Sequence, residues 1–157
     1  LEQFGGHMYA AGMTLKPENY TAFKEAFERV VQETIAPEWL EPEISIDAIV
    51  DFDEITPKFT RILKQFEPCE PQNMTPVFVS KKVVDTGYGK PMGKEEEHLK
   101  LFVRQNNSEG IPAIGFGLGK KYEIVKNKQL FEAAYCIDEN EWNDKIELQL
   151  RLKDIRN

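Results

Sequence analysis

The segment "HLKLFVRQ", residues 98–105, alternates strictly between polar and apolar residues. Successive side chains of a β-strand point to opposite faces, so this segment is predicted to be a strand with one buried face. The predicted buried face consists of Leu99, Leu101 and Val103. The predicted outer face consists of His98, Lys100, Phe102 and Arg104.

Other segments with the same period-two pattern lie on both sides of this one. Strands are predicted at 77–85, 111–119, 130–138 and 145–155. The last strand is expected to bury Leu148, Leu150 and Leu152. One or two helical turns are predicted at 120–127, and loops at 87–97, 106–110 and 139–144. Five strands with a short helical segment between the third and the fourth are typical of a small Greek-key barrel of the OB type.

The first half of the chain mixes helix and strand signals. "AAGMTL" (10–15) is predicted to be a buried strand, and Pro17 to open a helix that continues to about residue 35. The helix carries an apolar core stripe made of Tyr20, Phe23, Phe27, Val30 and Val31. A strand is predicted at 44–52 and a helix at 56–66, with Thr56 as its N-cap and Pro57 at its first position. The predicted fold class is therefore α+β.

The charge is unevenly distributed along the chain, whose net charge is −7. Residues 1–67 contain six Lys and Arg against thirteen Asp and Glu, whereas residues 68–157 contain fourteen of each kind. The excess acidity therefore lies in the first part, and the second part can still carry a basic face. The change also predicts a domain boundary near residue 67.

Composition indicates a reduced intracellular protein. Cys69 and Cys136 are two separate cysteines, which argues against a disulfide framework. No apolar run reaches the length of a membrane span and no signal-peptide pattern is visible. The expected location is the cytoplasm, without a membrane partner.

The sequence carries no complete catalytic motif. Its two histidines, His7 and His98, lie far apart, and no phosphate-binding loop or nucleophile motif is present. The acidic run "DFDE" (51–54) is interpreted as charge at the start of a helix in preference to a metal motif. We therefore predict no catalytic residue, metal ligand or bound cofactor in this chain.

Two groups of residues are candidates for binding. Gly5 and Gly6 offer backbone amides to an anion and His7 adds an imidazole, a set that suits a phosphate or sugar, although Gly-Gly turns are also ordinary structure. On the 98–105 strand, cations and an aromatic ring in one line suit a single nucleic-acid strand, and Lys94 extends the line. A solvated outer face is the alternative interpretation.

Five segments, in order, resemble the RecJ family of single-stranded-DNA-specific exonucleases, in the DHH phosphoesterase superfamily. "FGGHMYAAGMTL" (4–15) resembles the G-G-H-x-x-A-A-G motif that closes the family's DHH-associated domain, and "FEPCEPQNMTPVF" (66–78) resembles the linker into its barrel. "GKEEEHLKL" (93–101), "AIGFGLG" (113–119) and "ENEWNDKIELQLRLKDI" (139–155) resemble barrel segments. The linker departs from the family's Phe, Gly and Gly at Cys69, Glu70 and Gln72.

The resemblance implies a C-terminal fragment in three parts: a remnant of the DHH-associated domain (1–35), a connector with a strand and a helix (36–66) and an OB-like nucleic-acid-binding barrel (67–157). It implies a parent enzyme that degrades single-stranded DNA from 5′ to 3′ in repair and recombination. The manganese or magnesium of that enzyme would be held by catalytic motifs upstream of this chain, so the fragment is expected to bind DNA and to be inactive alone.

The resemblance also implies a place for the binding residues. Gly5, Gly6 and His7 would lie near the nucleotide that enters the active site, and the barrel would hold DNA beside the entrance. Single-stranded DNA is the expected partner, together with other repair proteins. Two alternatives stay open: a structural or protein-docking module that braces the nuclease core, and another DHH-family phosphodiesterase, which would normally lack the barrel.

Overall fold

The computed structural model describes residues 1–69, 73–142 and 145–157. These residues form two compact units, Leu1–Glu43 and Ile44–Asn157, and each is described by itself. Glu70 and Gln72, where the linker departs from the family pattern, lie outside the described residues. Residues 143 and 144, at the end of the predicted 139–144 turn, lie outside them as well. The three-part division into 1–35, 36–66 and 67–157 stays a prediction about family domains.

The first unit contains a β-hairpin and a helix. Strands β1 (Gln3–His7) and β2 (Ala10–Thr14) pair in antiparallel fashion, with Gly5 opposite Gly12 and His7 opposite Ala10. Helix α1 (Tyr20–Thr34) follows a 3-10 turn at Pro17–Asn19, so Pro17 opens the helical segment as predicted.

The prediction that residues 10–15 form a buried strand is wrong with respect to burial. Every residue of β2 is exposed, because its single described neighbour is β1 and a two-stranded ribbon cannot cover either of its faces. The apolar stripe of α1 is also largely open, since Phe27 is 54% and Val30 52% exposed. The stripe has the predicted helical spacing but does not form a core within this unit.

The second unit contains seven strands and two helices. They are β3 (Ala48–Ile49), α2 (Pro57–Leu63), β4 (Phe78–Asp85), β5 (Lys90–Met92), β6 (His98–Gln105), β7 (Ile111–Gly115), α3 (Tyr122–Val125), β8 (Phe131–Trp142) and β9 (Lys145–Arg156). The predicted strand at 44–52 is reduced to β3, and β8 extends through 139–142, where a turn was expected. The predicted loop 87–97 contains a short strand, β5.

Five of these strands close into a ring. Strand β4 pairs with β8, β8 with β9, β9 with β7, β7 with β6, and β6 returns to pair with β4. The pairs within the ring are antiparallel except for β7 with β9, and α3 lies between β7 and β8 in the chain. This order confirms the predicted OB-like five-stranded barrel. Strands β3 and β5 add to β4 and β6 outside the ring.

A bulge allows β4 to pair with two neighbouring strands. Its residues from Phe78 to Ser80 pair with β8, Val83 pairs with both β8 and β6, and the pairing with β6 continues to Asp85. The register shifts between Ser80 and Val83, where Lys82 has a φ of 56°. Because a bulge bends and twists the strand that carries it, β4 can turn from one side of the barrel to the other.

The core of the barrel follows the alternation of β6. Leu99, Leu101 and Val103 are at most 2% exposed, and Leu150 and Leu152 of β9 are buried with them. Leu148 is only partly buried, in contrast to the prediction. The reason is the register: β7 pairs with β9 at Leu150 and Arg151, so Leu148 lies in a part of the β8–β9 hairpin beyond that pairing.

The segment between β3 and α2 is attached to the barrel through a buried glutamine. Gln105 at the end of β6 accepts a hydrogen bond from the Phe52 amide (2.7 Å) and donates to Asp51 (2.7 Å) and to the Lys81 carbonyl (2.8 Å). Val50 and Phe52 join the core. The Asp51 amide also donates to Glu54 (2.8 Å), so the acidic run serves a local turn, in keeping with its interpretation as helix-start charge.

Candidate nucleic-acid interface

The outer face of β6 carries the predicted line of side chains. Lys100, Phe102 and Arg104 are exposed, and the residues between them are buried. Because paired residues on adjacent strands point to the same face, Lys100 lies beside Lys90 of β5 and Ile114 of β7. The strand therefore presents two cations and an aromatic ring to solvent, as its alternation predicts.

Lys90 is a cation that sequence reasoning missed, because its segment was predicted to be a loop. It is exposed and pairs directly with Lys100 across β5 and β6. Among the side chains that the structure describes, which leave out 70–72 and 141–145, neither lysine has a carboxylate within ion-pair distance. Like charges opposite each other on neighbouring strands are destabilising, so this pair favours a surface that meets an anion.

Phe102 lies between a second aromatic ring and a glycine. Its ring centroid is 6.4 Å from that of Tyr88, and the two planes are nearly perpendicular (86°). Tyr88 is 78% exposed and Phe102 37%. Gly110 of the β6–β7 turn contacts the ring of Phe102 so closely that a Cβ atom there would overlap it. These neighbours leave part of the Phe102 ring open to solvent.

A buried carboxylate positions the loop that carries Tyr88. Asp85 accepts hydrogen bonds from the amides of Gly87 (2.8 Å), Gly89 (3.0 Å) and Phe102 (3.1 Å). Gly87 has a φ of +104°, a conformation that glycine adopts without strain. One aspartate therefore ties the 86–89 loop to the backbone of β6.

His98 has a more enclosed position than the prediction implied. Its Nδ1 accepts a hydrogen bond from the Gly117 amide (3.2 Å), and its ring packs edge-on against Phe116 with centroids 5.1 Å apart. Its Nε2 lies 3.6 Å from Glu97. Backbone amides of Glu97 and Glu95 hold the pKa of the Glu97 carboxyl below its usual range, with a smaller contribution from His98. Lys94 is exposed in the preceding loop.

The glycine and histidine candidates lie in the other unit. Gly5, Gly6 and His7 are consecutive residues of β1, and all three are exposed. Gly6 has no room for a side chain, since an added Cβ would be 2.7 Å from the Ala10 carbonyl oxygen. His7 accepts a hydrogen bond at Nδ1 from the Tyr9 amide (3.2 Å). These residues therefore form a separate candidate group from the β6 face.

Two grooves flank Phe102 on the barrel surface. One, of about 560 Å³, is lined on its rim by Asp53 and Glu109. The other, of about 320 Å³, runs past Tyr88 and Lys100 to the β8–β9 hairpin. Phe102, Pro112, Glu147 and Leu148 line both grooves. The aromatic ring therefore separates two recesses that share one wall.

A second basic region surrounds α3. Two of its lysines are engaged, Lys121 with Asp154 and Lys126 with Glu123. Lys120 and Lys128 are exposed. This region has no exposed aromatic residue between its lysines in the chain, which distinguishes it from the β6 face.

The described residues do not fit a catalytic metal. Within the ranges that the structure covers, no group of three or more His, Cys, Asp or Glu side chains is placed to hold an ion. We therefore derive no metal-dependent step for this chain. In the same ranges, no helix has both the length and the apolarity needed to cross a membrane.

The ring of five strands and the position of α3 between β7 and β8 define an OB-fold protein. The family model described as RecJ OB domain matches residues 46–154. The chain therefore belongs to the RecJ OB domain family. The match covers β3 and α2 as well as the barrel.

Proteins named RecJ are similar to this chain over nearly its whole length. The single-stranded-DNA-specific exonuclease RecJ of Bacillus subtilis (strain 168) is 28% identical over 155 residues, which span 98% of this chain and 19% of that protein. RecJ of Escherichia coli (strain K12) is 24% identical over 157 residues, which span 98% of this chain and 26% of that protein. The chain thus spans about a fifth to a quarter of the length of these relatives.

A solved structure shares the fold. The crystal structure of RecJ in complex with Mn²⁺ from Thermus thermophilus is similar to this chain with a TM-score of 0.71 and 22% identity. The similarity covers 100% of this chain and 22% of that one. At this identity the likeness concerns the fold.

Proposed function

We propose that the β5–β6 face binds single-stranded DNA. The observation that carries the proposal is the exposed pair Lys100 and Phe102 on the second strand of an OB barrel, with Lys90 of β5 and Tyr88 beside them. Lysines attract the phosphates, and an exposed aromatic ring offers a stacking surface to any base. In OB folds the second and third strands usually face the ligand, and β6 and β7 hold those places in this ring.

We further propose that the chain acts as the DNA-holding part of a RecJ-type 5′-to-3′ exonuclease of the cytoplasm, in DNA repair and recombination. The relatives' name, single-stranded-DNA-specific exonuclease, supports this proposal. The similar solved structure is a complex with Mn²⁺, and we propose that the parent protein uses manganese or magnesium outside the residues described here. The pure 157-residue chain is then expected to leave labelled single-stranded DNA intact. Degradation that a chelator abolishes would contradict this expectation.

Binding is tested by titrating the chain with a fluorescent oligonucleotide of about eight nucleotides, a length within the range of OB sites. We expect weak affinity, on the order of 10⁻⁴ to 10⁻⁶ M, that falls as salt rises from about 50 to 200 mM. Phe102→Ala should cost roughly 1–3 kcal/mol of binding free energy if a base stacks there. Lys90→Ala and Lys100→Ala should each reduce the salt dependence by about one phosphate contact.

Lys120→Ala is the matched control, because it removes an exposed lysine of the α3 region. The proposal expects it to change affinity less than Lys100→Ala. Absence of binding at low salt, or binding that is indifferent to the Phe102, Lys90 and Lys100 substitutions, would contradict the proposal.

One observation favours the alternative, a protein-docking or bracing module. The Leu1–Glu43 unit exposes large apolar side chains, among them Phe4 at 82% and Phe27 at 54%, and exposed apolar surface commonly marks a contact site. Failure of the chain to bind DNA would leave this alternative as the better explanation. Under the proposed function, six further residues remain candidate DNA contacts: Gly5, Gly6, His7, Lys94, His98 and Arg104.

A further inference from the structure

The groove between Tyr88 and the β8–β9 hairpin has two chemically different walls. One wall carries Lys100, and Lys90 pairs with Lys100 across β5 and β6. The opposite wall carries Asn140, Glu147 and Gln149 from β8 and β9. Asn140 and Glu147 pair with each other across the hairpin, so their side chains share a face.

Two aromatic rings and a small volume make this groove suitable for a base. Phe102 and Tyr88 both line it, and their planes are nearly perpendicular, so a base that stacks on one ring meets the edge of the other. Its volume of about 320 Å³ is at the lower end of the range for small-ligand sites. A single base can therefore enter it.

The charges of the two walls orient a bound strand, provided that DNA binds this face as proposed above. Phosphates are attracted to the lysine wall and repelled by the Glu147 carboxylate. Among the side chains that the structure describes, which exclude those of residues 141–145, Glu147 has no ion-pair or hydrogen-bond partner. The backbone of the strand therefore runs along β5 and β6, and the edges of its bases point toward the hairpin wall.

We propose that this groove selects cytosine over thymine through Glu147. An ionised carboxylate can only accept hydrogen bonds, and the N4 amino group of cytosine is a donor. Thymine places the O4 acceptor at the corresponding position, where it faces the carboxylate with like polarity. Asn140 and Gln149 carry both donors and acceptors, so they can bond to either base and contribute less to the choice.

The test compares short oligocytidine and oligothymidine of about eight nucleotides, both pyrimidine strands with the same charge. The full 157-residue chain at low salt should bind the cytosine strand about five- to tenfold more tightly, the lower part of the range for one base contact, since the groove is open to water. In Glu147→Gln the ratio should fall close to one, because the amide can donate to thymine O4.

Glu95→Gln provides the control for charge. It removes one negative charge from the exposed loop beside Lys94, and Glu95 does not line the groove. This variant should bind both strands slightly more tightly and keep the cytosine-to-thymine ratio of the unaltered chain. A ratio that falls equally in both variants would overturn the role of Glu147.

The remaining outcomes separate this inference from the proposed function. Equal binding of the two strands by the unaltered chain overturns the base selection and leaves DNA binding intact. A cytosine preference that survives in Glu147→Gln overturns the assignment to this groove wall. Absence of binding to both strands overturns DNA binding, and the selection with it.

Discussion

At the scale of single residues, Gln105 occupies an inward position of β6 where an apolar side chain would be expected. It is 5% exposed, and both the oxygen and the nitrogen of its side-chain amide have partners on other segments. A buried amide that satisfies three groups specifies one placement for the segment that carries Phe52. The alternation of β6 predicts the position of Gln105, but its partners are 24 to 54 residues away and no local pattern shows them.

Gln105→Ala should therefore lower the free energy of unfolding by roughly 1–3 kcal/mol, because the buried Phe52 amide and Lys81 carbonyl lose their partner. Urea denaturation measures the change. Arg104→Ala is the control on the adjacent, exposed position and should stay within about 0.5 kcal/mol of the unaltered chain. Equal stability of the two variants would show that the amide does not hold the 51–54 turn.

Tyr135 is expected to make the free energy of unfolding depend on pH in the alkaline range. Burial raises the pKa of its phenol to about 12, and the hydrogen bond with Ser80 lowers that pKa by a smaller amount. Ser80 donates to the Val50 carbonyl (2.5 Å), so its oxygen accepts the Tyr135 proton (2.6 Å). The folded state therefore keeps the phenol protonated at a pH where the unfolded chain releases the proton.

Because the folded pKa exceeds the unfolded value of 10.0, this contribution is complete below pH 10 and is lost as pH rises toward about 12. The loss is on the order of 2 kcal/mol over that window. Tyr135→Phe should flatten the decline in unfolding free energy with pH. Tyr88→Phe, at an exposed ring, should retain it. Parallel pH profiles for both variants would contradict this role of Tyr135.

At the scale of elements, the β6–β7 turn determines how Phe102 is presented. Gly110 contacts the ring, so Gly110→Ala should displace the ring and weaken DNA binding severalfold while the barrel stays folded. Anisotropy measures binding, and circular dichroism checks the fold. Asn107→Ala is the control, because it alters an exposed, uncharged residue of the same turn that lines neither groove. Unchanged binding in Gly110→Ala would mean that the ring takes no part.

The elements also differ in how far a sequence can predict them. Period-two alternation predicts β6 at its observed bounds, since one face of that strand is buried along its whole length. Lys90 and Tyr88 lie outside the predicted site, because the sequence predicts a loop over 87–97. Lys90 belongs to β5, which is three residues long and whose pairing with β6 depends on a non-local register. The apolar pattern of β2 indicates a strand but not its burial, because burial depends on which other elements pack against the strand, and the local sequence does not specify them.

At the scale of the whole molecule, the excess negative charge and the proposed binding face lie in different parts of the chain. Residues 1–43 contain three Lys and Arg against eight Asp and Glu, which accounts for −5 of the net charge of −7. Residues 44–157 are therefore nearly neutral and hold the unpaired lysines of the β5–β6 face. The acidic part repels phosphate at long range, so a weak affinity is expected even at low salt.

The central claim, that single-stranded DNA lies across the β5–β6 face, is tested most directly by NMR. Backbone amide shifts of the 157-residue chain are recorded during titration with a short single-stranded oligonucleotide at low salt. DNA bound on this face should produce the largest changes at Lys90 and at residues 100–104, with smaller changes at Glu147 and Gln149. Changes centred instead on the lysines of 120–128, or no changes at any amide, would contradict the claim.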